Sequence, residues 1–158
     1  MNLEDIELVI LWQLYQNSRT TYKKLSKMCN VSIVSCHNKV KYMEKNNIIT
    51  RFTIEVNPKA LGYNLEVFIE IRIPRMIRKR VAEEISKMGG VDKVWEITGD
   101  TDLLIHGFFK DNDDLDKFIS RLIKQFPEIA DIITRVVLHK YEDSKRPWFF
   151  KPPKPNKS

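Results

Sequence analysis

The sequence predicts an α+β chain in which a head of three short helices precedes a body of strands and helices in the order βαββαβ. Three observations predict it. Apolar residues recur at helical spacing before residue 46, they alternate at the period of a strand from Ile48 onward, and Gly62 separates head from body. Length and composition allow it: 158 residues suffice for one medium domain or two small ones, and 42% hydrophobic with 30% charged residues is ordinary globular material.

Leu3, Ile6, Ile10 and Leu14 mark a first helix from about residue 4 to 16, with Glu4, Asp5 and Glu7 where the positive end of a helix dipole favours acids. Asn17 and Ser18 break it. Thr21 caps a second, short helix over Tyr22 to Met28, which places Leu25 and Met28 on one face. After the turn Cys29-Asn30-Val31, Ser32 caps a third helix of about thirteen residues whose apolar stripe is Cys36, Val40 and Met43. At about 100° per residue the opposite surface is Val34, Asn38, Lys41 and Lys45, flanked by Ser35 and His37. Asn46 and Asn47 end this helix, since Asn tolerates the left-handed conformation. Ile48, Thr50, Phe52, Ile54 and Val56 then alternate like a strand with one face buried, and Asn57-Pro58 closes it.

Past Gly62 the pattern predicts strand 65–73, helix 78–88, strand 91–98, a tight turn over Gly99 to Asp102, strand 102–110, helix 112–125 and strand 131–141. Two split βαβ units of this length form a four-stranded antiparallel sheet with both helices on one face, the ferredoxin-like arrangement. The other face stays uncovered. Apolar residues fall on both sides of these strands, as in Val67, Phe68, Ile69, Ile71, Ile73 and Ile132, Ile133, Val136, Val137, so pairing of two sheets across a two-fold axis is expected, giving an obligate homodimer. The expected divisions are residues 1–60, 61–143 and a basic tail, 144–158.

Charge is distributed to match. The net charge is +6, but residues 1–60 carry nine Lys/Arg against five Asp/Glu, residues 61–143 thirteen against sixteen, and residues 144–158 five against none. A basic head suits a polyanionic partner. A helix, a three-residue turn and a helix with an outward side of Ser, Asn, His and Lys is the arrangement that lays a recognition helix in a DNA major groove. Asn38 suits adenine N6 and N7, Ser35 and His37 base edges or phosphates, Lys41 and Lys45 the backbone; Ser32 and Val34 complete the candidate surface on this helix, with the following strand as a wing. The plainer alternative is a solvated polar helix face.

The run Leu3-Glu4-Asp5-Ile6-Glu7-Leu8-Val9-Ile10-Leu11, then Arg19-Thr20-Thr21-Tyr22-Lys23-Lys24-Leu25 and Val31-Ser32 through Cys36, Lys39-Val40-Lys41 and Met43-Glu44, resembles the winged helix-turn-helix of the Lrp/AsnC (feast/famine) transcriptional regulators. Asn57-Pro58 with Leu61-Gly62 is similar to that family's linker. Val94, Thr98-Gly99 and Asp102-Leu103-Leu104 are similar to the hairpin of its effector-binding (RAM) domain. The resemblance covers nearly everything up to about residue 143. It implies a sequence-specific DNA-binding regulator that dimerises through the sheet domain, often assembles into octamers, and responds to a small molecule, commonly an amino acid, held at Thr98, Gly99, Asp100, Thr101 and Asp102. Gly99 would let backbone approach closely, turn N–H groups would hold a carboxylate, and Asp100 or Asp102 an amino group. The same residues also suit a plain tight hairpin. A symmetric dimer presenting two such recognition helices is expected to take a pseudo-palindromic double-stranded operator whose half-sites lie about one DNA turn, roughly 34 Å, apart. Departures are Thr101 in place of an aromatic or bulky residue, Ile33 in place of proline, Asn38 in place of arginine, and Arg51-Phe52 in place of Gly-Tyr, so that the wing either contacts phosphate through Arg51 or is shaped differently. Two other classes compete: a sirohaem decarboxylase on the same scaffold, and a metabolite-sensing module without DNA binding.

Nothing else in the chain reads as chemistry. His37, His106 and His139 lie on different elements with no ligand-spaced partner, so no metal and no cofactor are expected. Cys29 and Cys36 read as reduced, packed side chains. Arg75, Arg78, Lys79 and Arg80 read as a solvated basic cluster, and Asp111 to Asp116 as dipole compensation at a helix start. No apolar run reaches the ~18 residues of a membrane span and the first residues lack a signal peptide, so a cytoplasmic location is expected and no membrane partner. In the tail, Trp148, Phe149 and Phe150 are expected to dock on the chain's own assembly and Lys151 to Ser158 to be loose.

Overall fold

The computed structural model describes residues 5–141 and Phe149, and they divide into two compact units that meet between Glu55 and Val56. In the first, α1 (Asp5–Gln16), α2 (Tyr22–Cys29) and α3 (Ile33–Lys45) enclose a core of Ile10, Leu14, Leu25, Cys36, Val40 and Met43. Local chemistry sets the ends. The Thr21 hydroxyl accepts the N–H of Lys24, and Asn30 turns left-handed at φ 52° to stop α2. Ser32 starts α3 by accepting the N–H of Ser35 at 3.0 Å, and Asn47 takes φ 55° just beyond Lys45. Lys39 reaches back to Glu7 at 3.3 Å, tying α3 to α1.

The strand expected over Ile48–Val56 is not formed. Residues 51–57 carry no ladder, and Phe52, Ile54 and Val56 are exposed, Ile54 to 73%. The physical reason is that alternation supplies a face but not a partner: among the described residues no strand pairs with this segment, and an unpaired strand has no hydrogen bonds to hold it.

The second unit is the expected βαββαβ. Its strands β1 (Leu65–Arg72), β2 (Val91–Glu96), β3 (Leu103–Phe109) and β4 (Asp131–Val136) lie in the order β2-β3-β1-β4, all antiparallel. The helices α4 (Arg78–Ile85) and α5 (Asn112–Gln125) cover one face, where Val67, Ile69, Ile71, Leu103, Ile105 and Phe109 meet Val81, Ile85, Phe118 and Leu122. Asp111 caps α5 by accepting the N–H of Asp114 at 2.9 Å.

Several elements are shorter than expected. The last strand stops at Val136 instead of residue 141, because β1 has little chain left to pair with: Val136 lies opposite Val67, and Val137 donates to Glu66. The helix expected to reach 88 ends at Ile85, where Lys87 and Met88 tighten into three-residue turns before Gly89. At the start of β2 a bulge sits against two glycines. A Cβ on Gly107 would stand 2.7 Å from the Gly90 carbonyl oxygen, which accepts the N–H of Phe108 at 2.7 Å.

The uncovered face corrects the expectation of an apolar surface. Period-two alternation puts Val67, Ile69, Ile71 and Ile73 under the helices, so the outer face holds Phe68, Leu104, Phe108 and Ile133 interleaved with Glu66, Glu70, His106 and Arg135. The tail residues 144–148 and 150–158 lie outside the described residues; the Phe149 ring meets Tyr15 edge-on at 5.7 Å.

Candidate nucleic-acid interface

With Cys36, Val40 and Met43 buried, α3 turns Val34, Asn38, Lys41 and Lys45 outward along one line. All four are exposed. Lys41 lies 3.7 Å from Glu44 one turn on, a solvated pair that leaves its ammonium available to another anion. His37 is exposed and braced: its ring stands edge-on to Tyr22 at 5.3 Å between centroids. Ser35 is half-buried at the start of the helix, Ser32 is occupied as its cap, and Arg51 is exposed on the extended segment that follows. The fold therefore brings Val34, His37, Asn38, Lys41 and Lys45 onto one helix. Tyr22 is the member that sequence reasoning misses, since nothing in its local pattern marks a contact fifteen residues away.

The thiols serve the core. Cys36 is buried and Cys29 partly so, and burial pushes both pKa values up, which suppresses the reactive thiolate.

In the sheet unit, the segment 98–102 divides into two parts. Thr98, Gly99 and Asp100 are exposed, with Gly99 at φ 127°, a conformation that glycine adopts without strain; Arg72 Nε donates to the Asp100 carbonyl at 3.0 Å. Thr101 and Asp102 point into the fold instead. The buried Thr101 hydroxyl donates to Glu70, and the Asp102 carboxylate accepts the Ile73 N–H at 2.8 Å and the Arg78 guanidinium. Arg78 also pairs with Glu96 at 3.0 Å, so it is a clasp between strand end, hairpin and helix, which corrects its reading as solvated.

The outer sheet face carries a second polar cluster. His106 has one ring nitrogen 2.8 Å from Glu66 and the other 3.0 Å from Asp92, and it stacks on Phe68 at 4.8 Å. Lys140 reaches Glu66 at 2.8 Å. Burial alone would raise the Glu66 pKa, but hydrogen bonds and charge from Lys140 and His106 outweigh it and hold it low. For Glu70 the hydrogen bond from Arg135, at 2.6 Å, lowers the pKa against a smaller effect of desolvation, and Thr101 adds to the lowering.

Comparison with known proteins follows this division. Residues 3–50 match the family described as winged helix-turn-helix DNA-binding, and residues 66–147 match the Lrp/AsnC ligand binding domain. The chain belongs to the Lrp/AsnC family. Among its relatives, the HTH-type transcriptional regulator FL11 of Pyrococcus furiosus is 27% identical over 142 residues, 90% of this chain and 93% of that protein. Ptr1 of Methanocaldococcus jannaschii is 28% identical, covering 91% and 97%. Among solved structures, E. coli AsnC superposes with a TM-score of 0.82 at 28% identity, covering 89% of this chain and 95% of that one. A transcriptional regulator of Neisseria meningitidis solved as its L-Met complex gives 0.83 at 25% identity, covering 90% and 96%. The protein is a DNA-binding transcriptional regulator of Lrp/AsnC type, with a winged helix-turn-helix ahead of a four-stranded α+β domain.

Proposed function

We propose that the regulator binds a pseudo-palindromic duplex as a symmetric homodimer, reading each half-site with α3, and that an amino acid taken at residues 98–102 modulates it. The observation that carries the DNA contact is the outward line Val34, Asn38, Lys41 and Lys45, which contributes nothing to the core of its own unit. Asn38 reads a base edge, Lys41, Lys45 and Arg51 neutralise phosphates, and Ser35 and His37 flank them. Ser32 acts through the helix it caps.

Dimerisation uses the outer sheet face, where Phe68, Leu104, Phe108 and Ile133 are only half covered and charges of both signs stand beside them. Such dimers assemble further into octamers. For the effector, the L-Met complex of the Neisseria relative supports an amino acid. The exposed backbone of Thr98, Gly99 and Asp100 would hold its carboxylate; Thr101 and Asp102 would shape the hairpin, since their side chains are already engaged. The protein works where the chromosome is, in the cytoplasm, and acts by binding and not as an enzyme: the regulators among its relatives support this, and both ring nitrogens of His106 are already engaged by carboxylates.

The test is selection of bound duplexes from a random pool, with and without a panel of amino acids, followed by footprinting. Two protected half-sites one DNA turn apart, with affinity falling steeply as salt rises, are expected. Failure to enrich any sequence would overturn the DNA reading, and an unchanged selection across all amino acids would overturn the effector.

A further inference from the structure

Val34 is an anomaly on a recognition surface. It is 68% exposed at the N-terminal end of the outward face of α3, one turn before Asn38 and next to His37, whereas Ile33, exposed to 49%, lies toward the flank. The fold does not require it. The core of this unit is completed by Cys36, Val40 and Met43, and a β-branched residue lowers helix propensity without packing gain. The most apolar group that B-DNA presents in its major groove is the C5-methyl of thymine.

We propose that Val34 reads a thymine methyl in each half-site. This rests on α3 lying in the major groove. An isopropyl group at this position buries against the methyl and gains nothing from uracil, which pairs with adenine as thymine does but lacks it. Asn38 lies one helical turn further on the same face, about 6 Å along the axis at about 1.5 Å per residue. With base pairs about 3.4 Å apart, the thymine falls within about two steps of the base that Asn38 contacts. The readout is thus a paired apolar and amide signature, and it assigns Val34 a role in specificity that the lysines, which meet every sequence alike, cannot supply.

The experiment uses the full chain and its selected duplex. Each thymine is replaced in turn by deoxyuridine, which removes only the methyl, and binding is measured for wild type, Val34→Ala and Val34→Ile. For wild type one thymine per half-site is expected to lose about fourfold in affinity on replacement, the effect of one buried methyl group. Val34→Ala should be indifferent to that replacement, while Val34→Ile retains the penalty. Unchanged helical circular dichroism and an unchanged urea unfolding midpoint in both variants separate this outcome from misfolding. Wild type indifferent to deoxyuridine at every position, or a penalty equal in wild type and Val34→Ala, overturns the proposal while leaving DNA binding intact. A pool that enriches no sequence overturns the groove reading and this inference with it.

Discussion

At the scale of single residues, the DNA contacts proposed for the outward face of α3 are of two kinds that mutations can tell apart. Replacing Asn38 by Ala should relax specificity at one base position at a cost of about 1–3 kcal/mol, whereas replacing Lys41 by Ala should weaken all duplexes alike and reduce the salt slope by about one. Titration of binding against salt for both variants checks this. Glu66 and Glu70 carry a different prediction. Their pKa values are held below the ordinary carboxylate range in the folded sheet unit, so the stability they contribute is present above that range and is lost as pH falls through the depressed values. Denaturant midpoints should therefore drop on acidification from neutral pH into the acid range, and the double variant Glu66→Gln, Glu70→Gln should show a shallower drop. These residues were not legible as partners. Thr101 and Glu70 lie 31 positions apart and Asp102 and Arg78 24 apart, so local pattern showed a hairpin and a basic cluster but not the clasp joining them.

At the scale of elements, periodicity was decisive wherever an element carries its own reason to form. The third helix, Ile33–Lys45, and the second helix of the sheet unit, Asn112–Gln125, have apolar stripes and side-chain caps in their own sequences, and both emerge where expected. Strands depend on what lies beside them. The segment 48–56 has good alternation and no ladder, and the last strand ends when β1 runs out, neither of which a one-dimensional pattern contains. Close backbone approach is equally hidden: nothing in the sequence around Gly107 marks it, yet its missing Cβ leaves room for the Gly90 carbonyl. Substituting Gly107 by Ala should destabilise the sheet unit by about 1–3 kcal/mol, as overpacking does, measured by urea unfolding; the same substitution at Gly89, with nothing within 4 Å, should not.

At the scale of the whole molecule, the half-covered outer sheet face is the feature that a single chain leaves unfinished. Replacing Phe68 by Lys sets a strongly hydrated ammonium in the middle of this face, beside His106 on β3 and Arg135 on β4, and for the proposed dimer sedimentation should then report a smaller species than for the wild-type chain. Operator affinity should fall with it, because the second recognition helix would no longer be delivered at high local concentration. Unfolding followed by calorimetry should resolve whether each unit melts by itself, since the two cores are built from different side chains.

The exposed line on α3 has one more consequence. Because Val34, Asn38 and Lys41 contribute no packing to the hydrophobic cluster beneath them, substitutions there should alter the DNA contacts proposed for this face without changing whether the polypeptide holds together. On that reading a duplicated copy can drift to a new genomic address while keeping its Lrp/AsnC ligand binding domain intact.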